Sequence, residues 1–187
     1  VLIDIYHPKY DTVTVDNVKG GYLAGRHLAE RPAETFVIMV EERFNTPFAS
    51  GVFRDRLQGF KQALQDTGQS LPEENVITVE FSWDGGRIAA REILKHYRGR
   101  INIFATCDLL ARGVMDELSH HGLSIGQEIW LIGFDDQPWA EDCGLSTIRQ
   151  PIESMGAFAV DLLMDRVKES SRELTHRVFE PQLVVRH

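Results

Sequence analysis

Four short runs of apolar residues recur along the chain, each followed by enough residues for one helix. The runs are FVIMV (36–40), VITVEF (76–81), INIFA (101–105) and IWLIGF (129–134). Their apolar residues hardly alternate with polar ones, which indicates strands that are covered on both faces. This pattern limits the chain to folds in which helices pack on both sides of a sheet.

Helical patterns lie between these runs. In 52–66, four apolar residues share one stripe at helical spacing: Phe53, Leu57, Phe60 and Leu64. Similar patterns in 85–98 and 108–121 predict two more helices, the second with Asp108 as N-cap and Gly122 as its stop. The alternation of strand and helix predicts an α/β fold with parallel strands and right-handed crossovers.

The two ends of the chain have a different pattern. VLIDI and VTVDN precede a first helix at about 18–30, and RVFEPQLVVR predicts a closing pair of strands. A helix over 152–168 should have Pro151 at its first position. The residues expected on its inner side are Met155, Phe158, Ala159, Leu162 and Leu163.

Charge and composition exclude several classes of protein. The 187 residues carry a net charge of -8, so these residues alone predict no binding of nucleic acid, which requires basic side chains. No apolar run approaches the roughly 18 residues of a membrane span, and no signal peptide is visible. Two cysteines are too few for a disulfide framework, which favours unpaired thiols in the cytoplasm. No metal site or cofactor is expected.

Two adjacent carboxylates, Asp135 and Asp136, follow the run IWLIGF. In a doubly wound sheet, ligands bind outside the carboxyl ends of the strands. The same edge should carry residues 106–108, the stretch 80–83 with its aromatic pair Phe81 and Trp83, and 41–43 with the basic Arg43. Such a rim suits a small polyhydroxylated or heteroaromatic ligand.

Arg56 completes this predicted site, because it lies at the border of the apolar stripe of 52–66 and can reach over the rim. A structural role is open for each of these residues. Arg56 could be a solvated helix residue, and the two aspartates could cap a helix or a turn. Phe81 and Trp83 could pack against the core or the rim.

Several motifs, in order, resemble the effector-binding domain of the lactose-repressor (galactose-repressor) family of transcription regulators. The matching segments are VDNVKGGYLAGRHL (15–28), RLQGFKQAL (56–64), CDLLARG (107–113), GLSIGQEI (122–129), LIGFDD (131–136), LSTIRQP (145–151) and the closing LVVRH. The resemblance covers essentially the whole chain, and the ordered set of motifs is specific where no single motif would be.

The resemblance implies a periplasmic-binding-protein-like fold of two Rossmann-like lobes with the ligand between them. Residues 1–16 and 147–178 would form a partial N-terminal lobe, and 17–146 with 179–187 the C-terminal lobe. The helix-turn-helix of the family and the first half of its N-terminal lobe have no counterpart in these residues.

The family's ligand residues can be placed on this sequence one by one. Arg56 matches the arginine that grips the ligand, Phe81 the aromatic residue that stacks on it, and Asp135 the aspartate that binds hydroxyls or ring nitrogens. Gln150 matches a pocket residue of the second crossover. Asp4 and Asp16 match acidic positions on the side of the N-terminal lobe.

Two positions depart from the family pattern. Cys107 stands where the family has a pocket asparagine, and a thiol forms weaker hydrogen bonds. Lys19 stands where the lactose repressor has a ligand-binding aspartate, which would suit an acidic or phosphorylated ligand; the alternative is a solvated lysine in the first turn of a helix.

The resemblance further implies a homodimer that pairs through 108–121 and the loop at about 136–146, which contains Trp139. It implies a small-molecule effector, and contact with operator DNA only through the helix-turn-helix. A sugar-binding protein of a transport system shares the fold and is the main alternative. A magnesium-dependent phosphohydrolase is a weaker one, because the chain has neither a P-loop nor an Asp-x-Asp pair.

Overall fold

The computed structural model describes residues 1–41 and 50–187, and it contains two sheets and six α-helices in that part of the chain. The strands are β1 (Leu2–Ile3), β2 (Thr12–Val15), β3 (Glu34–Val40), β4 (Val76–Val79), β5 (Ile101–Ala105), β6 (Ile129–Asp135), β7 (Ser146–Arg149), β8 (His176–Phe179) and β9 (Gln182–Val184). The helices are α1 (Asn17–Ala29), α2 (Val52–Asp66), α3 (Trp83–His96), α4 (Asp108–His120), α5 (Trp139–Asp142) and α6 (Ile152–Lys168).

The larger sheet has the strand order β4-β3-β5-β6-β7-β9, and the smaller has the order β1-β2-β8. All pairs are parallel except β7 with β9, which is antiparallel. The predicted α/β fold with parallel strands is therefore confirmed. The closing segment does contain two strands, but they do not pair with each other, because β8 joins β2 and β9 joins β7.

Helices cover both faces of the larger sheet, as the unalternating apolar runs require. On one face, α3 and α4 bury a cluster that includes Ile93, Ile103 and Leu110. On the other, α1 and α2 bury a second cluster that includes Phe60 and Phe104. Within the described residues no helix is long and apolar enough to cross a membrane.

The smaller sheet is connected to the larger one by three segments of the chain. The first lies between β2 and α1, the second between β7 and α6, and the third between β8 and β9. Residues 147–149 belong to β7 and pair with β6 in the larger sheet. Phe179 likewise belongs to β8 of the smaller sheet. The division into two lobes stays a prediction.

Three local predictions are wrong. Cys107, not Asp108, is the N-cap of α4, and the side chain of Asp108 points into a buried network instead. Pro151 precedes α6 with a non-helical ψ of 60° and does not occupy its first position. Leu163, expected on the inner side of α6, is exposed. The buried residues of this helix are Met155, Ala159 and Leu162. The predicted stop at Gly122 is confirmed, since this glycine follows the C-cap with a φ of 68°.

The order of the strands fixes where a ligand can bind. The chain runs from β3 outward to β4 and then returns to β5 on the other side of β3. The connections that leave β3 and β5 therefore diverge to opposite faces of the sheet, and a crevice opens between them at the carboxyl edge. Arg56 of α2 and Thr106 after β5 meet at this edge.

Candidate functional site

Arg56 is at the centre of the candidate site and is almost fully buried, with 3% of its surface exposed. Its Nε donates to Oδ1 of Asn17 at 2.8 Å, and Nη1 donates to the carbonyl oxygen of Thr106 at 2.7 Å. The guanidinium lies over the ring of Phe134, 3.6 Å from its centroid. Among the described residues, Nη2 has no hydrogen-bond acceptor. Arg56 is therefore a fixed donor and not a solvated helix residue.

Two glycines of α1 make room for this arrangement. A Cβ on Gly20 would lie 2.6 Å from the ring of Phe134, and one on Gly21 would lie 1.9 Å from the carbonyl oxygen of Arg56. Only glycine lets α1 approach α2 and the sheet this closely. The GGYLAG stretch thus places the backbone of Arg56 and the ring beneath its side chain.

Asp135 and Asp136 point to different partners. Oδ1 of Asp135 accepts from Nε2 of Gln150 at 2.7 Å and lies 3.7 Å from Nη1 of Arg56. Asp136 instead pairs with Arg149 and with Arg186, the latter at 2.8 Å. Neither aspartate caps a helix.

Burial raises the pKa of Asp135, although Arg56 and Gln150 oppose this effect. For Asp136 burial acts in the same direction, but hydrogen bonds from Arg149 and Arg186 outweigh it and hold the pKa below its usual value. Both residues have positive φ angles, 125° and 58°, which are unfavourable for residues other than glycine. The turn is maintained by the partners of these side chains.

Asp108 supports this turn from behind. Its carboxylate accepts from the backbone N–H of Gln137 at 2.8 Å and from the hydroxyl of Thr147 at 2.7 Å. A Cβ on Gly133 would lie 2.1 Å from Oδ1 of Asp108, so glycine is needed there. Complete burial raises the pKa of Asp108 to about 7.

Asp4 brings a second carboxylate to Arg56 from the smaller sheet. It follows β1 with a φ of 57°, and its Oδ1 is buried without a hydrogen-bond partner in the described part of the chain. Burial raises its pKa, and the charge of Arg56 opposes this. The charge of Asp4 also acts on Asp135 and raises the pKa of that carboxyl group.

The structure places Cys107 next to this group, but as a buried thiol with 1% of its surface exposed. Burial raises the pKa of Cys107 to about 12, so the thiol stays protonated at neutral pH. Both cysteines are unpaired. Thr106, which precedes Cys107, also has a buried hydroxyl oxygen without a hydrogen-bond partner within the described ranges.

The two predicted rim aromatics lie in different places. Phe81 is in the loop after β4, is 60% exposed, and contacts Phe53 with ring centroids 6.1 Å apart. Phe53 in turn lies 5.4 Å from the guanidinium of Arg56, so Phe81 is one ring away from the site. Trp83 begins α3 and stacks on Arg87 instead. Arg43, also predicted at this rim, lies outside the described residues.

Trp83 lines a separate groove of about 500 Å³ between α3, α4 and α5. The other residues that line it are Leu109, Arg112, Met115, Asp116, Trp139 and Cys143. The guanidinium of Arg112 lies over the ring of Trp139 at 5.3 Å. The described contacts therefore do not bring Trp83 to Arg56, contrary to the expectation that it lines the ligand pocket.

Asp16 and Lys19 have partners other than Arg56. Oδ1 of Asp16 accepts from the backbone N–H of Lys19 at 2.8 Å and caps α1. The ammonium of Lys19 forms an ion pair with Glu180, and about half of the lysine side chain is exposed. An ammonium that already has a carboxylate partner is a weaker attraction for an anionic ligand than the sequence suggested.

Sequence reasoning missed Asn17, and it placed Thr106 at this edge without assigning it a contact. Asn17 is buried and receives Nε–H of Arg56, while Thr106 supplies a carbonyl oxygen to it. An asparagine directly after a strand and at the start of a helix was the available signal. In the sequence this asparagine belongs to the segment VDNVKGGYLAGRHL (15–28), which does not single it out.

The arrangement offers a ligand fixed donors and acceptors. Arg56 supplies N–H donors, Asp135 and Asp4 supply acceptors, and Gln150 supplies an amide. Phe53 and Phe81 offer aromatic faces at one side. Such a set has the chemistry to form hydrogen bonds with hydroxyl groups or ring nitrogens.

Comparison with known proteins gives matches along nearly the whole chain. The family described as periplasmic binding protein-like domain matches residues 25–187. The HTH-type transcriptional repressor PurR of Klebsiella pneumoniae is 31% identical over 180 residues, which are 95% of this chain and 51% of that protein. A probable transcription regulator from Thermus thermophilus is 40% identical, with a TM-score of 0.91, over 99% of this chain and 70% of that one.

A LacI family transcriptional regulator from Enterococcus faecium, with bound ribose, is 30% identical with a TM-score of 0.83, over 97% of this chain and 66% of that one. The chain spans about half the length of the curated relatives it matches. These relatives are transcription regulators and not enzymes, and they do not favour the transport protein or the phosphohydrolase. By its sheets, its carboxyl-edge residues and these matches, the chain belongs to the periplasmic-binding-protein-like domains of LacI-family transcription regulators.

Proposed function

We propose that this chain is the effector-sensing domain of a DNA-binding transcription regulator. It binds a small polar metabolite at the carboxyl edge of the larger sheet, against Asp4 of the smaller sheet. One observation carries the proposal: buried Arg56 lies 3.7 Å from Asp135 of the larger sheet, and its charge also acts on Asp4, which follows β1 of the smaller sheet. A ligand that contacts both carboxylates would stabilise one arrangement of the two sheets, which is how binding could control DNA affinity.

The ligand class that fits is a sugar, a sugar derivative or a nucleobase. Vicinal hydroxyls both donate to carboxylates and accept from a guanidinium, and ring N–H groups also donate to carboxylates. Gln150 adds an amide that can donate to or accept from either kind of ligand, and Phe81 offers an exposed face for stacking. The Enterococcus faecium relative with bound ribose supports the sugar.

DNA enters this proposal only through a segment that these residues do not contain. The net charge of -8 opposes direct binding of DNA by the effector domain. The relatives named as HTH-type repressors support a separate DNA-binding part and action in the cytoplasm.

A homodimer is the expected assembly, paired through α4 and the α5 loop. The groove that contains Trp139, Leu109 and Met115 offers apolar surface for a second copy at this position. We expect sedimentation of the full-length protein at tens of micromolar to show a dimer, and Trp139→Glu to produce monomers. A wild type that sediments only as a monomer would count against this interface.

The central proposal is tested by thermal denaturation with a panel of compounds: D-ribose, D-glucose, cellobiose, adenine and D-ribose 5-phosphate. We expect at least one neutral compound to raise the melting temperature of the wild type. The same compound should leave the melting temperature of Arg56→Lys unchanged, since lysine cannot reproduce the guanidinium contacts. Comparison of D-ribose with its phosphate tests the anionic ligand that Lys19 suggested. No shift with any compound would argue against a sugar or nucleobase effector.

A further inference from the structure

Asn17 connects the two sheets through a single side chain. It is the first residue of α1, directly after the crossover from β2 of the smaller sheet. Its Nδ2 donates to the carbonyl oxygen of Val15, the last residue of β2, at 3.3 Å. Its Oδ1 accepts from Nε of Arg56 at 2.8 Å, and Arg56 belongs to α2, which packs on the larger sheet.

The chemistry of the two groups fixes the orientation of this amide. A guanidinium only donates hydrogen bonds, so the oxygen of Asn17 must face Arg56. The nitrogen then faces the other way and finds a carbonyl oxygen, that of Val15. Both ends of a buried amide are used in one orientation, and flipping it would leave both without a matching partner.

Asn17 and Thr106 together hold Arg56 away from its nearest carboxylate. Nε is bonded to Asn17 and Nη1 to the carbonyl oxygen of Thr106, while Nη1 stays 3.7 Å from Oδ1 of Asp135. A buried guanidinium and a partly buried carboxylate at this distance attract each other and form a bidentate pair if nothing prevents it. Such a pair would use the donors and the acceptors that a ligand needs.

We propose that Asn17 is a positioning residue that keeps Arg56 from pairing directly with Asp135, so that both stay available to a ligand. The proposal rests on the function proposed above in one respect, the assignment of Arg56 and Asp135 to the ligand. When Asn17 loses its acceptor oxygen, Nε of Arg56 has no acceptor, and the guanidinium can turn toward the carboxylate of Asp135, which lies 3.7 Å from Nη1. Arg56 and Asp135 then bind each other, and the site binds its effector weakly.

The test compares three variants. Asn17→Ala removes the acceptor, and Asn17→Asp keeps an acceptor for Arg56 while losing the donor to Val15. Asn75→Ala is the matched control, because Asn75 is equally buried and donates to the carbonyl oxygen of Thr35, on the amino side of the sheet. The first readout needs no ligand: the pKa of Asp135, measured by carbon NMR titration of the carboxyl group, with Asp4 and Asp108 followed as neighbouring carboxyls.

We expect Asn17→Ala to lower the pKa of Asp135 by about one unit or more, as direct pairing with an arginine does. Asn75→Ala and Asn17→Asp should not lower it. An unchanged pKa in Asn17→Ala, or an equal decrease in Asn75→Ala, would overturn the proposal. If Asn17→Ala does not fold, Asn17→Ser replaces it, since serine is too short to reach Nε, and the same outcomes apply.

The second readout is the affinity for D-ribose, or for cellobiose or adenine if only these stabilise the wild type. We expect Asn17→Ala to bind at least about tenfold more weakly, and Asn75→Ala to bind like the wild type even if it melts earlier. Equal affinities for Asn17→Ala and the wild type would contradict the proposal. If the wild type binds none of the compounds, the proposed function fails, while the pKa of Asp135 still decides the role of Asn17.

Discussion

The larger and the smaller sheet are stabilised by different means. Every residue of β5 in the larger sheet is buried, and separate apolar clusters fill the two faces of that sheet. The smaller sheet has one cluster of five buried residues: Val13, Val15, Met155, Ala159 and Leu162. Apolar residues of α6, among them Val160, Leu163 and Val167, stay exposed.

The smaller sheet and α6, together called the smaller unit, have polar contacts that compensate for this small apolar core. Arg166 of α6 forms a bidentate pair with Asp11 at 2.9 and 2.8 Å, and it also donates to three carbonyl oxygens of the loop that follows. The candidate site therefore receives Arg56 and Asp135 from a firmly packed sheet, and Asp4 from one that depends on a few polar contacts. We therefore expect the smaller unit to be the part that shifts when a ligand binds.

The largest expected effect is on the cores themselves. Phe104→Ala removes a fully buried ring that stacks on Phe60 at 4.9 Å, and we expect a loss of about 3–5 kcal/mol in the free energy of unfolding. Met155→Ala in the smaller core should cost about 2 kcal/mol, because its poorly covered surroundings can collapse. Urea denaturation measures both. Equal losses would mean that the two units are packed alike.

The pH dependence of stability should differ in sign between the two units. Burial raises the pKa of Asp108 to about 7, so the folded larger unit binds this proton more tightly than the unfolded chain. Stability from this group therefore falls as the pH rises from about 4 to about 7, by up to about 4 kcal/mol. Asp108→Asn should flatten the decrease seen in urea denaturation at pH 5 and pH 7.5.

Asp11 is the matched control for that experiment. Its hydrogen bonds with Arg166 lower its pKa, so it stabilises the folded protein above its unfolded pKa and loses this effect as the pH falls through its folded pKa. Asp11→Asn should therefore destabilise the protein at pH 7 and leave the decrease between pH 5 and pH 7.5 in place. A decrease that survives in Asp108→Asn would show that another carboxyl causes it.

The adjacent aspartates test whether the site depends on the larger sheet as proposed. Asp135→Asn should leave folding nearly intact and cost roughly 2–4 kcal/mol in binding of the stabilising compound, since an amide places donors where acceptors are needed. Asp136→Asn should lower stability more than affinity, because it weakens the contacts with Arg149 and Arg186 that hold the turn. Calorimetry and thermal melts compare the variants. The reverse outcome would exchange the two roles.

The sequence predicted the elements of the larger unit well. The bounds 52–66 and 101–105 match α2 and β5, because a helical stripe and an unbroken apolar run report local geometry directly. The smaller unit was predicted less well. Leu163 was assigned to the core because the stripe continues through it, but only packing partners decide which apolar residues of α6 are buried.

In the candidate site, too, local patterns could be predicted from the sequence and long-range contacts could not. Motifs mark Arg56 and Asp135, so the sequence could propose both as site residues. No motif reports that Asn17 bonds a residue 39 positions away or that Asp108 bonds Thr147. Such contacts follow from how α1 meets α2 and how β6 meets β7, which residue patterns do not encode. Trp83 was misplaced for a related reason: its position near the carboxyl edge is correct, but α3 directs it to the neighbouring groove.

The smallest expected effects concern two helical glycines, one in each unit. Gly21 of α1 faces α2, where a Cβ would lie 1.9 Å from the carbonyl oxygen of Arg56, whereas a Cβ on Gly156 of α6 would meet nothing within 4 Å. Gly156→Ala should therefore stabilise the protein by about 0.5–1 kcal/mol, the gain of alanine over glycine inside a helix. Gly21→Ala should destabilise it by about 1–3 kcal/mol through overpacking, despite the same intrinsic gain.

The two substitutions are chemically identical, so the difference between their effects isolates packing from helix propensity. Gly21→Ala should also weaken ligand binding, because the helices can separate only by moving the backbone of Arg56. Gly156→Ala should leave binding unchanged. Urea denaturation and thermal melts with the stabilising compound measure both effects. If Gly156→Ala destabilises the protein instead, another surface covers that face of α6, and the smaller unit is less exposed in solution than the contrast with the larger sheet implies.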